Sequence, residues 1–187
     1  MIKIGDKIPD FETDALIGGS IKKIRLREYL GRWMIFIFYP ADFSFVCPTE
    51  LEDAAKHYDE FKSLDAEVFS VSTDTAFSHM AWHDTSPAIK QIKFPMIADP
   101  SAKMCKEFGT YIEDEGLSLR GTFLVDPDGI VKAIEMHDNS LGRNIGETLR
   151  RLKAARHVRE FPGEVCPVNW EPGKKTLKPS PDLVGKI

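Results

Sequence analysis

The sequence predicts an α/β fold in which a mixed central sheet is flanked by helices. Apolar runs typical of strands alternate along the chain with segments of helical period, which favours parallel strands joined by crossover helices. The run WMIFIFY at 33–39 is apolar throughout, as expected of a strand buried on both faces. Two strand-like runs at 121–136 are joined by Pro-Asp-Gly, a hairpin signal that adds antiparallel strands to the sheet.

The remaining elements follow in chain order. Residues 1–30 predict an N-terminal hairpin, or loose strands, around Gly-Gly-Ser at 18–20. After Cys47, apolar residues at helical spacing predict a helix through Leu51, Ala54, Tyr58 and Phe61. The other predicted elements are a strand at 66–73, a helix at 75–89 ending near Pro87, a strand at 94–99, a helix at 100–109 stopped by Gly109, and a last helix at 142–158.

The chain changes character at Phe161. From there Pro, Gly and Lys are frequent and no apolar period continues, which predicts an extended C-terminal tail. We therefore expect a main domain at 1–160 and a tail at 161–187. The element order fits a thioredoxin-like fold. A flavodoxin-like fold is the rival, but the Pro-Asp-Gly hairpin argues against a fully parallel sheet.

Composition excludes some functions. The chain has 187 residues, 42% of them hydrophobic, enough for one core with an appendage. A net charge of −4 argues against a dedicated nucleic-acid binder. No segment approaches the roughly 18 apolar residues of a membrane span. The opening MIKIGDKIPDF has no charged leader before an apolar run, so we expect a cytoplasmic location.

The three cysteines are isolated at Cys47, Cys105 and Cys166. A reducing cytoplasm disfavours a static disulfide framework, so catalysis or metal binding explains them better. Metal binding is the weaker explanation, because no CxxC or HxxxH pair starts a zinc site. Cys105 lies between Met104 and Phe108 on an apolar helical face, which favours core packing, with a redox role left open.

Cys47 is predicted at the start of a helix. Pro48 suits the first helical position, and the unpaired N–H groups there stabilise an anion such as a thiolate. Full ionisation of an ordinary thiol at pH 7 would raise its reactive fraction only about 30-fold. Enzymes commonly accelerate reactions by about 10⁶-fold or more, so other groups must act on the transition state.

Four segments in register resemble the peroxiredoxins. PADFSFVCPTE resembles their active-site motif, met by Pro40, Ser44 and Cys47, and LRGTFLVD resembles a second signature that carries Arg120. GEVCPVNW at 163–170 resembles the resolving-cysteine segment of the typical two-cysteine class, and the ending DLVGKI resembles the bacterial alkyl hydroperoxide reductase C branch. The resemblance spans the whole chain and implies the thioredoxin-like fold.

The resemblance implies a role for each matched residue. Cys47 would attack the terminal oxygen of a hydroperoxide and become a sulfenic acid. Arg120 would hold the thiolate and the peroxide by charge-assisted hydrogen bonds. Ser44 would donate to one oxygen and accept from another, which orients the peroxide. It replaces the commoner threonine and keeps the hydroxyl. Pro40 would pack over the site and keep water away.

The resemblance also implies supporting groups and a second thiol. Glu50 and Arg143 match positions that brace the arginine network. Cys166 would resolve the sulfenic acid of another subunit as a disulfide with Cys47, which an external reductant then resets. Local unwinding of the helix that carries Cys47 would have to come first.

The implied partners are a hydroperoxide and a flavin disulfide reductase or thioredoxin-like reductant, with DLVGKI at 182–187 as a docking tail. The implied assembly is a homodimer that joins into a ring, commonly a decamer. No metal, haem or flavin is needed, because the oxidant ends on sulfur. The sequence leaves open the preferred peroxide, the reductant and the ring size.

Three other functions remain as alternatives. A thiol–disulfide oxidoreductase would use the same fold, but the missing CxxC argues against it. A ring-forming holdase chaperone could coexist with peroxidase activity. A cysteine hydrolase would need a histidine base, and no histidine is convincingly placed for that role.

Overall fold

The structure is a computed structural model that describes residues 1–186. The chain divides into two compact units, Met1–Ile145 and a second that starts at Gly146. No helix within residues 1–186 is both long and apolar enough to cross a membrane.

The first unit contains nine strands and three α-helices among its described residues. The strands are β1 Glu12–Ile17, β2 Ser20–Arg25, β3 Trp33–Phe38, β4 Ala66–Ser72, β5 Met96–Ala98, β6 Tyr111–Ile112, β7 Leu117–Ser118, β8 Arg120–Val125 and β9 Val131–His137. The helices are α1 Cys47–Ser63, α2 Ala76–Thr85 and α3 Lys103–Phe108, and α4 Ile145–Glu160 leads into the second unit. Short 3-10 turns occupy Leu26–Tyr29, Ile89–Gln91 and Pro181–Leu183.

Seven strands form one mixed sheet in the order β2-β1-β5-β4-β3-β8-β9. The pairs β3–β4 and β4–β5 are parallel, whereas β1–β2, β1–β5, β3–β8 and β8–β9 are antiparallel. The N-terminal hairpin and the Pro-Asp-Gly hairpin are therefore the two antiparallel additions, as predicted. This sheet and its flanking helices confirm the thioredoxin-like α/β fold and exclude the fully parallel rival.

The core centres on aromatic side chains that cover one face of the central strands. Phe36 of β3 stacks on Phe69 of β4 with ring centroids 5.1 Å apart, and Phe38 meets Phe108 of α3 at 4.9 Å. Every residue of β3 and β4 is buried. The continuous apolar run of β3 is explained by this burial on both faces. This packed centre supports the loop after β3, which leads to Cys47 at the start of α1.

Some element ends differ from the predicted ones for local reasons. Helix α2 ends at Thr85, because Ser86 precedes a proline and adopts extended angles. Helix α3 begins at Lys103 after Ala102 in the left-handed region, with φ of 55°. The small hairpin β6–β7 was not predicted, since strands of two residues carry no alternation. Helix α4 begins three residues after the predicted 142, because Arg143 is drawn into the first unit.

The second unit is α4 with the segment after it folded back on the helix. Val165 and Leu177 pair as an antiparallel bridge. The Trp170 indole N–H donates to the carbonyl of Lys174 at 3.0 Å, and Arg150 of α4 donates to the carbonyl of Trp170 at 3.0 Å. The described part of this segment therefore carries hydrogen bonds to α4 that the sequence analysis did not predict.

Candidate active site

Cys47 is the first residue of α1, and its side chain is fully buried. Pro48 occupies the first turn, where its missing N–H costs no hydrogen bond. The N–H groups of Thr49 and Glu50 reach back to the carbonyl of Val46 at 3.0 and 3.3 Å. The helix therefore begins at the cysteine as predicted, and the sulfur lies beside the positive end of the helix dipole.

Arg120, the first residue of β8, reaches the sulfur directly. Its Nη1 donates to Cys47 Sγ at 3.3 Å and to Glu50 Oε2 at 2.8 Å. Its Nε and Nη2 donate to the backbone carbonyl of Asn139 at 3.0 and 2.8 Å. A guanidinium has five N–H groups, and these contacts use four of them. The fifth, on Nη2, has no acceptor among residues 1–186 and can donate to an oxygen atom of a substrate.

Glu50 links Arg120 to a second buried arginine. Its Oε1 accepts from the backbone N and the Nε of Arg143 at 2.7 and 2.9 Å, and its Oε2 accepts from Arg143 Nη2 at 2.9 Å. Arg143 Nη1 also donates to the carbonyl of Gly121 at 2.8 Å. Both side chains of this ion pair are almost completely inaccessible to solvent.

The ionisation state of Glu50 follows from the two arginines around it. Burial alone would raise the pKa of Glu50, but the hydrogen bonds and charge of Arg143, with the charge of Arg120, hold that pKa below its usual value. Glu50 is therefore ionised near neutral pH. Two guanidiniums and one carboxylate leave a net charge of +1 beside Cys47 Sγ.

The loop between β3 and α1 contains the other two motif residues. Pro40 is buried, and Ser44 is partly exposed. Ser44 Oγ donates to the carbonyl of Ala41 at 2.8 Å, so its proton is already committed. Of the two functions expected of Ser44, only hydrogen-bond acceptance remains available in this arrangement.

Two residues that hold the site were missed by the sequence analysis. Asp74, just after β4, accepts the backbone N–H of Asp42 at 2.9 Å, which fixes the peptide whose carbonyl receives Ser44. Because β3 and β4 pair in parallel, the residues that follow them, Asp42 and Asp74, lie at the same edge of the sheet. This pairing could have identified Asp74 from the sequence. Asn139 acts through its backbone carbonyl, which leaves no signature in the sequence.

Cys166 lies in the second unit and is partly buried. Its Sγ contacts the carbonyl of Ala154 on α4 at 3.8 Å. Partial burial and the Glu164 carboxylate raise the pKa of the Cys166 thiol, while Arg150 acts in the opposite direction. All three cysteines of the chain are free thiols in this structure.

Cys105 is a fully buried thiol on α3 with a different environment. Burial, together with the nearby Asp99 carboxylate, raises the pKa of Cys105 to about 12. We predict that native protein at pH 8 leaves Cys105 unmodified by iodoacetamide, because almost no thiolate exists there to react. Mass spectrometry of tryptic peptides measures the modification, with protein unfolded in guanidinium as the control. Modification of Cys105 at the same rate in native and unfolded protein would contradict this.

Two known protein families match parts of the chain. The AhpC/TSA family matches residues 4–134, and the C-terminal domain of 1-Cys peroxiredoxin matches residues 154–187. The second description names one-cysteine proteins, yet the matched range of this chain includes Cys166.

Individual proteins resemble the chain along its whole length. Alkyl hydroperoxide reductase C of Escherichia coli K12 is 50% identical and that of Pseudomonas aeruginosa is 48% identical, each with 100% of both chains covered. The crystal structure of Enterococcus faecalis AhpC has 44% identity and a TM-score of 0.87, covering 89% of this chain and 100% of that one. Reduced Plasmodium vivax 2-Cys peroxiredoxin has 33% identity and a TM-score of 0.92, covering 97% and 96%.

Proposed function

The chain belongs to the AhpC/TSA family, and on that premise we propose that Cys47 reduces hydroperoxides while Cys166 of the partner subunit resolves the product. The protein is a peroxiredoxin of the alkyl hydroperoxide reductase C type, a thiol-dependent peroxidase. The observation that supports the assignment best is the 3.3 Å contact from Arg120 Nη1 to Cys47 Sγ.

In the first half-reaction, the Cys47 thiolate attacks the terminal oxygen of the hydroperoxide. The S–O bond forms as the O–O bond breaks, so Cys47 becomes a sulfenic acid. The other peroxide oxygen leaves as hydroxide or alkoxide and takes up a proton to give water or an alcohol. Arg120 uses Nη1 to hold the sulfur and its remaining Nη2 N–H to stabilise charge on the leaving oxygen. Ser44 accepts a hydrogen bond from the peroxide, and Pro40 shields the sulfur from water.

Glu50 and Arg143 act on this reaction through Arg120. Glu50 receives Arg120 Nη1 at 2.8 Å, and Arg143 fixes Glu50 through three donors. This arrangement prevents rotation of the guanidinium, so its donors face the reacting atoms before the peroxide arrives.

In the second half-reaction, Cys166 of the partner subunit loses its proton and attacks the sulfur of the Cys47 sulfenic acid as a thiolate. A disulfide forms as the S–O bond breaks, and the sulfenic oxygen takes up a proton and leaves as water. Because Cys47 is fully buried, the first turn of α1 must unwind for the two sulfurs to meet. We propose that residues 1–160 act as the peroxidase domain and residues 161–187 as the tail that delivers the second thiol.

We further propose a flavin disulfide reductase or thioredoxin-like protein as the electron donor, with hydrogen peroxide and organic hydroperoxides as substrates. We also propose a cytoplasmic location. The ending DLVGKI is the proposed docking segment, although Ile187 lies outside the described residues. Homodimers that join into a decameric ring are the proposed assembly, supported by the exposed aromatic side chains of Phe43 and Phe77.

The cysteine roles are tested by non-reducing electrophoresis after one equivalent of hydrogen peroxide. Wild-type protein should run as a disulfide-linked dimer, and neither Cys47→Ser nor Cys166→Ser should form it. Cys105→Ser is the matched control and should form the dimer normally. A dimer band that persists in Cys166→Ser would show that another thiol resolves Cys47.

A further inference from the structure

We propose that Glu164 controls the resolving step by fastening the segment that carries Cys166 onto α4, so that release of this carboxylate limits the rate of disulfide formation. This inference rests on the proposed role of Cys166 as the resolving cysteine. It concerns a residue outside the peroxide site, and every contact that carries it lies within the second unit.

Glu164 joins three parts of the second unit through one carboxylate. Its Oε2 accepts from Thr176 Oγ1 at 2.6 Å and from His157 Nε2 at 3.0 Å. Lys178 Nζ lies 3.9 Å from its Oε1. His157 belongs to α4, whereas Thr176 and Lys178 belong to the returning part of the tail. The carboxylate therefore ties the outgoing and returning segments of the tail to the same helix.

Cys166 lies just after this fastening point and has little freedom while it holds. Its neighbour Val165 exchanges two backbone hydrogen bonds with Leu177, at 2.9 and 3.0 Å. The thiol itself faces α4, where Sγ contacts the carbonyl of Ala154 at 3.8 Å. A thiol held against its own helix cannot approach the sulfur of another subunit. The Glu164 contacts must open before the resolving reaction proceeds.

The charge of Glu164 acts in the same direction as its hydrogen bonds. Attack on a sulfenic acid requires the Cys166 thiolate. Partial burial, and after it the Glu164 carboxylate, raises the pKa of that thiol. Arg150 of α4 is the opposing charged group. While Glu164 keeps its contacts, the Cys166 thiol is therefore held against α4 and its pKa is raised. Opening the carboxylate contacts removes both restraints.

Two substitutions separate these contributions. Glu164→Gln removes the charge and weakens both hydrogen bonds, so disulfide formation should become about fivefold faster at pH 7, with its half-maximal rate at a lower pH. Thr176→Val removes one hydrogen bond and keeps the charge, so the rate should rise about threefold with an unchanged pH midpoint.

Glu171→Gln is the matched control. It removes an exposed carboxylate of the same unit that pairs with Lys174, and should leave the rate unchanged.

The measurement is a single-turnover time course of the disulfide-linked dimer, quenched by alkylation and resolved without reductant. The rate of peroxide consumption by Cys47, measured by competition with a reference peroxidase, should be the same in all variants. Hydrogen exchange of residues 161–177 in the reduced protein should increase in both tail variants. The proposal is overturned if Glu164→Gln forms the disulfide no faster than wild type, or if its tail exchanges no faster. Failure of the proposed function is recognised separately, by a dimer that persists in Cys166→Ser.

Discussion

Arg120→Lys should lower the second-order rate constant for hydroperoxide reduction by about 10²- to 10³-fold, the usual effect of losing a donor that stabilises a developing oxyanion. Arg120 contacts Cys47 Sγ, Glu50 and the Asn139 carbonyl at the same time, through three different nitrogens. A lysine ammonium has one nitrogen and no fork, so it cannot satisfy all three and still face the peroxide. Arg120→Lys therefore keeps the positive charge beside the sulfur and loses the fixed arrangement of hydrogen-bond donors.

The rate is measured by competition with a peroxidase of known rate, with Cys47→Ser as the zero point. Arg27→Lys is the matched control, because Arg27 is an exposed arginine of the same unit whose partner is Asp10. It should react at the wild-type rate. A rate for Arg120→Lys within threefold of wild type would mean that charge alone suffices, and would refute the role assigned to the guanidinium fork.

Two buried thiols in one chain illustrate what a sequence can and cannot predict about reactivity. Cys47 and Cys105 are both inaccessible to solvent. Cys47 is paired with the Arg120 guanidinium, whereas the backbone N–H of Cys105 donates to the Asp99 carboxylate, which raises the pKa of the neighbouring thiol. The helix start and its proline identified Cys47. The Asp99 carboxylate follows the end of β5, and only the folded chain brings it next to Cys105 of α3.

The fold was largely predictable because its central strands are buried on both faces. The continuous apolar run of β3 and the largely apolar run of β4 predict buried strands. Both hairpins have turn residues at their centres. What could not be predicted depends on backbone atoms. The carbonyl of Asn139 orients Arg120, and the N–H of Arg143 binds Glu50 and delays the start of α4. Any residue type could supply these groups, so the sequence does not mark them.

Glu50→Ala should destabilise the folded protein by about 3–5 kcal/mol, the usual effect of removing one partner of a buried ion pair. The guanidiniums of Arg120 and Arg143 would remain buried without a counter-charge. Their three hydrogen bonds to Glu50 would be lost, as would the one donated by the backbone N–H of Arg143. Urea unfolding at pH 7 measures the loss. Glu52→Ala is the matched control on the same helix. Its more exposed side chain pairs with Lys56 at (i, i+4), and its loss should change stability by at most about 0.5 kcal/mol.

The effect of Glu50→Ala should also depend on pH with a definite sign. The pKa of Glu50 is lowered in the folded protein, so its stabilisation is complete above the unfolded pKa of roughly 4.3 and is lost as pH falls through the lower folded value. The difference in unfolding free energy between wild type and Glu50→Ala should therefore be largest near pH 7 and should shrink below about pH 4. A difference that stays constant from pH 7 to pH 3 would mean that Glu50 stabilises the site by packing. The ionic brace inferred for Arg120 would then have to be abandoned.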